Sequence, residues 1–285
     1  MKNSLPFADL HVHSYYSDGT CSPEQILKTA EELGIGVLAV ADHDVFEGSA
    51  ELCEISKNSP VNCIPAVEIT CDDNGRQVHV LAYRPDFTNE EFRKFVADGR
   101  RKLDGMSIDL IEKMQSAGYP VSVDEFDAFT CPRGSGGWKA LHYFHSIGIT
   151  KNLKDGFSLY PEFDCGYEKA GFPSVEKAIK MIHSVSGIAI IAHPGVSVKT
   201  RIEKEFLAEL EKFVSYGADG TECFYSEHTP DITAICELFC TERGLLMTCG
   251  SDFHGSFLTR QLGTPRKKTE ELLLDGIILN KIFEI

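Results

Sequence analysis

The chain has 285 residues, 42% of them hydrophobic, and a formal net charge of -15 at pH 7. An acidic surplus of that size argues against broad electrostatic capture of nucleic-acid backbone, and no apolar run approaches the ~20 residues needed to cross a bilayer. What remains is a soluble α/β chain, one domain or a domain with an insertion, in which an anionic ligand needs a local positive centre such as metal ions.

In chain order, the first predicted strand is residues 7–12, running into His13. Side chains alternate along a strand, so His11 and His13 share one face and Val12 takes the other. Alone, such a pair fits two surface histidines as well as two convergent ligands. The segment SPEQILKTAEELG predicts a helix, with Ser22 as N-cap, Pro23 in the first turn, Gln25 closing a capping box and Gly34 ending it. Further strands are predicted at 37–41, 61–69, 78–83, 188–192, 220–224 and 245–249, and helices alternating with them imply a parallel sheet. Residues 87–171 break this rhythm with two helical patterns and the glycine-rich CPRGSGGWKALHYF, read as a mainly helical insertion that leaves 1–86 and 172–285 as the α/β body. The ten cysteines are scattered without a Cys-x-x-Cys pair. Reduced thiols are expected, and a cytoplasmic location, since the histidines arrive before any signal-peptide core could form.

The polar residues at the predicted strand ends share one chemistry. His11, His13, Asp18, His43, Glu68, His79, His193, Asp252 and His254 comprise six imidazoles and three carboxylates. That is too many for one tetrahedral zinc and suits two or three cations with shared ligands. In a parallel α/β barrel the C-terminal strand ends meet on one face, where such groups assemble.

The motifs His-Val-His-Ser-x-x-Ser-Asp-Gly, Ala-Asp-His-Asp, Pro-Ala-Val-Glu-Ile-Thr, Ala-His-Pro-Gly and Gly-Ser-Asp-Phe-His-Gly resemble, in order, those of the PHP (polymerase and histidinol phosphatase) superfamily. Within it the chain is similar to metal-dependent phosphoesterases related to bacterial 3',5'-nucleoside bisphosphate phosphatases. The resemblance implies a distorted (β/α)7 barrel with a trinuclear site. It implies one metal on His11, His13, Glu68 and Asp252, a second reached by bridging Glu68 and completed by His79 and His193, and a third on Asp18, His43 and His254. Asp9, Asp42 and Asp44 are expected to orient imidazoles by accepting their second N–H.

The expected reaction is hydrolysis of a small phosphorylated metabolite: a nucleoside mono- or bisphosphate, or a cyclic sugar or nucleotide phosphate. A hydroxide bridging two cations, Mn, Zn or Fe, would attack phosphorus, with Glu68 and Asp252 positioning it. His228 is a candidate to bind phosphate or protonate the leaving group, and Arg133 and Lys139 to meet a second anionic group from a cap. The insertion has Pro-Arg-Gly where those phosphatases carry Arg-Pro-His, which separates substrate identity from the metal site. A binuclear amidohydrolase gives the Asp18, His43 and His254 set no task and wants a lysine at a strand end, which is missing. A non-catalytic metal-binding regulatory module is the reading from another class. No long nucleic acid and no membrane are expected as partners, and the oligomeric state is open.

Overall fold

A computed structural model describes residues 6–274. Nine strands form two sheets among those residues. The first takes β1 (Phe7–Val12), β2 (Ile35–Val40), β3 (Asn62–Cys63) and β9 (Lys267–Lys268) in the order β3-β2-β1-β9. The second runs β4 (Ala66–Asp73), β5 (Arg76–Tyr83), β6 (Ile188–Ile191), β7 (Gly220–Tyr225) and β8 (Leu246–Gly250) in chain order. Strands β1 and β2 pair in parallel and are buried almost throughout, as sequences apolar on both faces require.

Helix α1 (Pro23–Leu33) begins and ends as its residues dictate. Ser22 Oγ accepts from the Gln25 N–H, the Gln25 side chain returns the bond, and Gly34 stops the helix at φ 73°. Helices α2 (Glu47–Ile55), α8 (Val175–Ser184), α9 (Pro194–Ser197), α10 (Glu203–Ser215) and α11 (Pro230–Arg243) follow strands of the body. Between β5 and α8 lie α3 (Glu90–Ser116), α4 (Val123–Ala128), α5 (Lys139–Ser146), α6 (Leu159–Glu162) and α7 (Tyr167–Ala170), with no strand among the described residues there. Helix α3 joins two cores. Its Phe92 and Val96 pack with the five-stranded sheet, while Leu103, Leu110 and Met114 pack with Phe126, Phe144 and Tyr160 in a separate cluster.

Three expectations need correction. The predicted strand 61–69 is two strands, because Pro65 has no N–H to continue the ladder and the chain shifts from one sheet to the other there. The sheet is also not wholly parallel: β4 and β5 form an antiparallel hairpin across Asn74 and Gly75, both at positive φ (55° and 83°), and β5 pairs antiparallel with β6. That Asn-Gly turn reverses the chain without a crossover helix, which interrupts a (β/α) repeat.

The two sheets do not close into the expected (β/α)7 barrel. Isolated backbone bridges join them near strand ends, between Val12 and Phe253 and between His43 and Glu68. The Asp252 N–H donates to the His11 carbonyl (2.8 Å), and the Asp44 N–H to that of Glu68 (2.9 Å). The stitches fall where the polar residues collect. No helix among the described residues is long and apolar enough to cross a membrane.

Candidate metal centre

Strand β1 and the residue that follows it supply two fully buried imidazoles, His11 and His13, whose Nε2 atoms stand 3.1 Å apart. Glu68, in β4 and also fully buried, faces them. Its Oε2 lies 2.9 Å from His43 Nδ1, 3.2 Å from His11 Nε2 and 3.3 Å from His13 Nε2. Its Oε1 lies 2.9 Å from His79 Nδ1 and 3.1 Å from His193 Nε2. Beyond β8, Asp252 Oδ1 is 3.0 Å from His13 Nε2 and 3.5 Å from His254 Nδ1, and Asp18 Oδ1 is 3.2 Å from His254 Nε2. His193 and Asp252 hold left-handed backbone (φ 29° and 51°), rare for non-glycine residues, which turns both side chains in as their strands end.

All nine expected ligands therefore meet in one place. Their donor atoms form four overlapping groups: His13, Asp18, His43 and His254; His11, His13 and Asp252; His11, Glu68 and His193; and His43, Glu68 and His79. The sharing differs from the expected partition, since His193 stands with His11, and His43 reaches both Glu68 and Asp18.

The donor set fits divalent cations. His43 Nδ1, His79 Nδ1, His193 Nδ1 and Glu68 Oε2 are buried without hydrogen-bond partners. The 2.9 Å approaches to Glu68 are close without having hydrogen-bond geometry. Converging lone pairs with no donor are costly in a buried site, and a cation satisfies them together. Burial alone would raise the pKa of Glu68 and of Asp252, yet the imidazoles around each hold both well below the usual carboxylate range. Burial works against a charged His43, but Glu68 and Asp18 outweigh it and raise that imidazole to about 10; at His79 burial prevails and lowers it to about 4. A cation entering this cluster must displace protons from some of these imidazoles.

The supporting contacts are not the expected ones. Asp9 accepts the backbone N–H groups of Ser251 (2.9 Å) and Gly263 (2.7 Å), Asp42 the N–H and hydroxyl of Ser14 (2.7 and 2.6 Å), and Asp44 the Thr70 N–H (3.2 Å). These carboxylates hold backbone in loops and at β4, not imidazoles. The imidazole partner is Glu222 of β7, which accepts from His11 Nδ1 (3.1 Å) and from the His193 N–H (2.9 Å). Gly250 leaves room for this, because a Cβ there would collide with His11 and Glu222. Tyr225 donates to Asp252 Oδ2 (3.0 Å), and Arg260 pairs with the same oxygen while forking onto Glu227 (3.1 and 2.9 Å). Glu222, Tyr225 and Arg260 were not singled out in the sequence. The one available signal was the carboxylate inside the otherwise uncharged strand Gly220–Tyr225.

A cleft of about 530 Å³ opens over the cluster, lined by His43, His79, His193, Asp252 and His254, with Arg76, Lys199 and Arg260 as its cationic wall. Three expected substrate contacts lie elsewhere. His228 has both ring nitrogens on backbone, Nδ1 donating to the Cys223 carbonyl (3.1 Å) and Nε2 accepting the Gly195 N–H (3.0 Å). Lys139 bonds the Asp127 carbonyl (3.2 Å) inside the helical segment. Arg133 is exposed, its guanidinium 4.5 Å from the ring centres of both Tyr15 and Tyr16.

Comparison with known proteins agrees with this geometry. The PHP domain family matches residues 9–157. A 5'-3' exoribonuclease of Haemophilus influenzae is 29% identical over 86% of this chain and 89% of its own length. A 3',5'-nucleoside bisphosphate phosphatase of Chromobacterium violaceum is 26% identical over 86% of each. A solved structure from Bifidobacterium adolescentis superposes with a TM-score of 0.73 over 96% of this chain and 94% of that one, at 24% identity, a likeness of fold alone. By motif, site geometry and family match, the chain belongs to the PHP domain family.

Proposed function

We propose that the protein is a metal-dependent phosphoesterase acting on a small phosphorylated substrate or on the phosphorylated end of a short one. The observation that carries this reading is the buried Glu68 carboxylate ringed by five imidazoles, with unpartnered donor atoms, at the floor of a cleft with a cationic wall. His11, His13, Glu68, Asp252, His79 and His193 would hold two divalent ions, and Asp18, His43 and His254 a third, with Mn, Zn or Fe suited to this ligand set. Bound ions of this kind neutralise phosphoryl oxygens and lower the pKa of water toward neutrality.

The chain's own part is orientation. Glu222 fixes the ring of His11, while Tyr225 and Arg260 hold one oxygen of Asp252 and turn the other toward the imidazoles. Arg260 and Lys199 give an incoming phosphate its first positive contacts on the cleft wall. Residues 87–171 are proposed as a cap on a body formed by 1–86 and 172–285. The ten free cysteines favour work in the reducing cytoplasm.

A second substrate class has a specific observation behind it. The Haemophilus influenzae relative is named an exoribonuclease, against the expectation of no long nucleic acid. Removal of one terminal nucleotide is the same phosphoester chemistry. Metal-reloaded protein should be offered a nucleoside 3',5'-bisphosphate, a cyclic nucleotide and a 5'-phosphorylated oligoribonucleotide, and the products separated. Phosphate release from the first supports a phosphatase, stepwise mononucleotide release from the last an exonuclease. Cation binding without turnover on any of them would favour a regulatory module.

A further inference from the structure

Residues 133–138 touch the loops that carry two of the expected ligands, yet they do not line the cleft. The Gly137 N–H donates to the main-chain carbonyl of Asp18 (2.7 Å). The Arg133 guanidinium packs on Tyr15 and Tyr16, three and two residues before Asp18. Gly136 and Gly137, at φ 74° and 68°, lie flat on Phe257, where a Cβ on either would fall 2.6 Å from a Phe257 atom. Phe257 in turn follows His254 by three residues and packs against the hydrophobic cluster of the helical segment. From α5, His142 Nε2 donates to the Gly136 carbonyl (2.7 Å) and fixes the glycine loop to that cluster. The two ligand loops are also tied to each other, since the Thr20 N–H donates to the His254 carbonyl (3.2 Å) and the Ser256 N–H to Thr20 Oγ1 (2.9 Å).

The other donors are carried differently. His11, Glu68 and His79 sit within strands, and His193 and Asp252 each two residues past a strand end, all carried by the sheets of the body. We propose that residues 133–138 are a latch through which the helical insertion sets occupancy of one cation position, that bounded by His13, Asp18, His43 and His254. The positions around Glu68 are left to the strands. Arg133 and Gly137 are thus positioning residues that act through Asp18 and His254. The inference rests on the three-cation reading above.

The test is a Mn²⁺ titration of the full metal-free chain by calorimetry, with elemental analysis at limiting metal. The wild type should bind three ions. Arg133→Ala and Gly137→Ala should each bind one of them about tenfold more weakly, in the range of losing an outer contact to a ligand, with the other two unchanged and excess Mn²⁺ restoring the third. Arg133→Lys, which keeps a cation over the tyrosines, should recover part of the loss. Lys139→Ala, in the same insertion but bonded to Asp127, should bind as the wild type does. If Gly137→Ala fails to fold, Arg133→Ala carries the test, since its side chain is exposed. Three ions at wild-type affinity in both variants would overturn the latch alone, as would equal weakening of every site. Two ions in the wild type would overturn the three-cation reading and the latch with it.

Discussion

Glu68 faces five imidazoles from four strands and loops, so an amide at that position would offer a cation shared with those rings a far poorer ligand than the carboxylate does. Glu68→Gln should keep the fold, read by circular dichroism, and lower turnover by more than about 100-fold. Retained turnover would remove Glu68 from the chemistry. His228 makes the opposite case. With both nitrogens on backbone it is a brace between β7 and α9, and burial moves its pKa down. His228→Ala should cost about 1–3 kcal/mol in urea unfolding and leave the limbs of the pH–rate profile in place. Loss of one limb would return a proton-transfer role to it. The nine candidate ligands were legible because each is a ligand residue type in a predicted strand or within about six residues of its end, a pattern local in sequence. Glu222, Tyr225 and Arg260 were not, because their meaning lies in contacts to His11 and Asp252 that only the folded chain creates.

At the scale of elements, the β4–β5 hairpin carries Glu68 and His79 and is pinned to α10. Asp73 accepts from Lys212 (2.8 Å) and pairs with Arg76, and both cations also meet Glu209. Burial would raise the pKa of Asp73, but hydrogen bonds from Lys212 and Arg76 outweigh it and leave it lowered. A carboxyl lowered by folding contributes stability that is present above its unfolded pKa, ~3.9, and is lost as pH falls through the folded value. Urea unfolding at pH 5 and pH 3 should therefore show a larger loss in the wild type than in Asp73→Asn. Equal losses would show that the cluster adds nothing. Helix α1 was readable to its caps, because capping is decided by residues three apart. The hairpin carried an equally local signal in Asn74-Gly75, but expecting a helix between every pair of strands hid it. The break at Pro65 was missed in the same way.

For the whole molecule, the fold brings acid and imidazole together at the seam between two sheets, and cations bound there should hold that seam. Chelation should lower Tm. Added Mn²⁺ should raise it with a concentration dependence, since one site contributes about 2.7 kcal/mol of stability at 100 times Kd. An unmoved Tm would place any cations outside the buried cluster. The α/β class and the helical segment were legible from periodicity, while closure was not, since sequence patterns do not state which strand edges pair. Metal dependence is decided by phosphate or mononucleotide release by the same protein preparation before chelation, after it, and after Mn²⁺ reloading, on small phosphoesters and a 5'-phosphorylated oligoribonucleotide. Turnover should vanish with the metal and return with it on at least one substrate; turnover that survives complete metal removal would contradict a metal-dependent phosphoesterase, as would a fully reloaded protein that releases nothing from any of them.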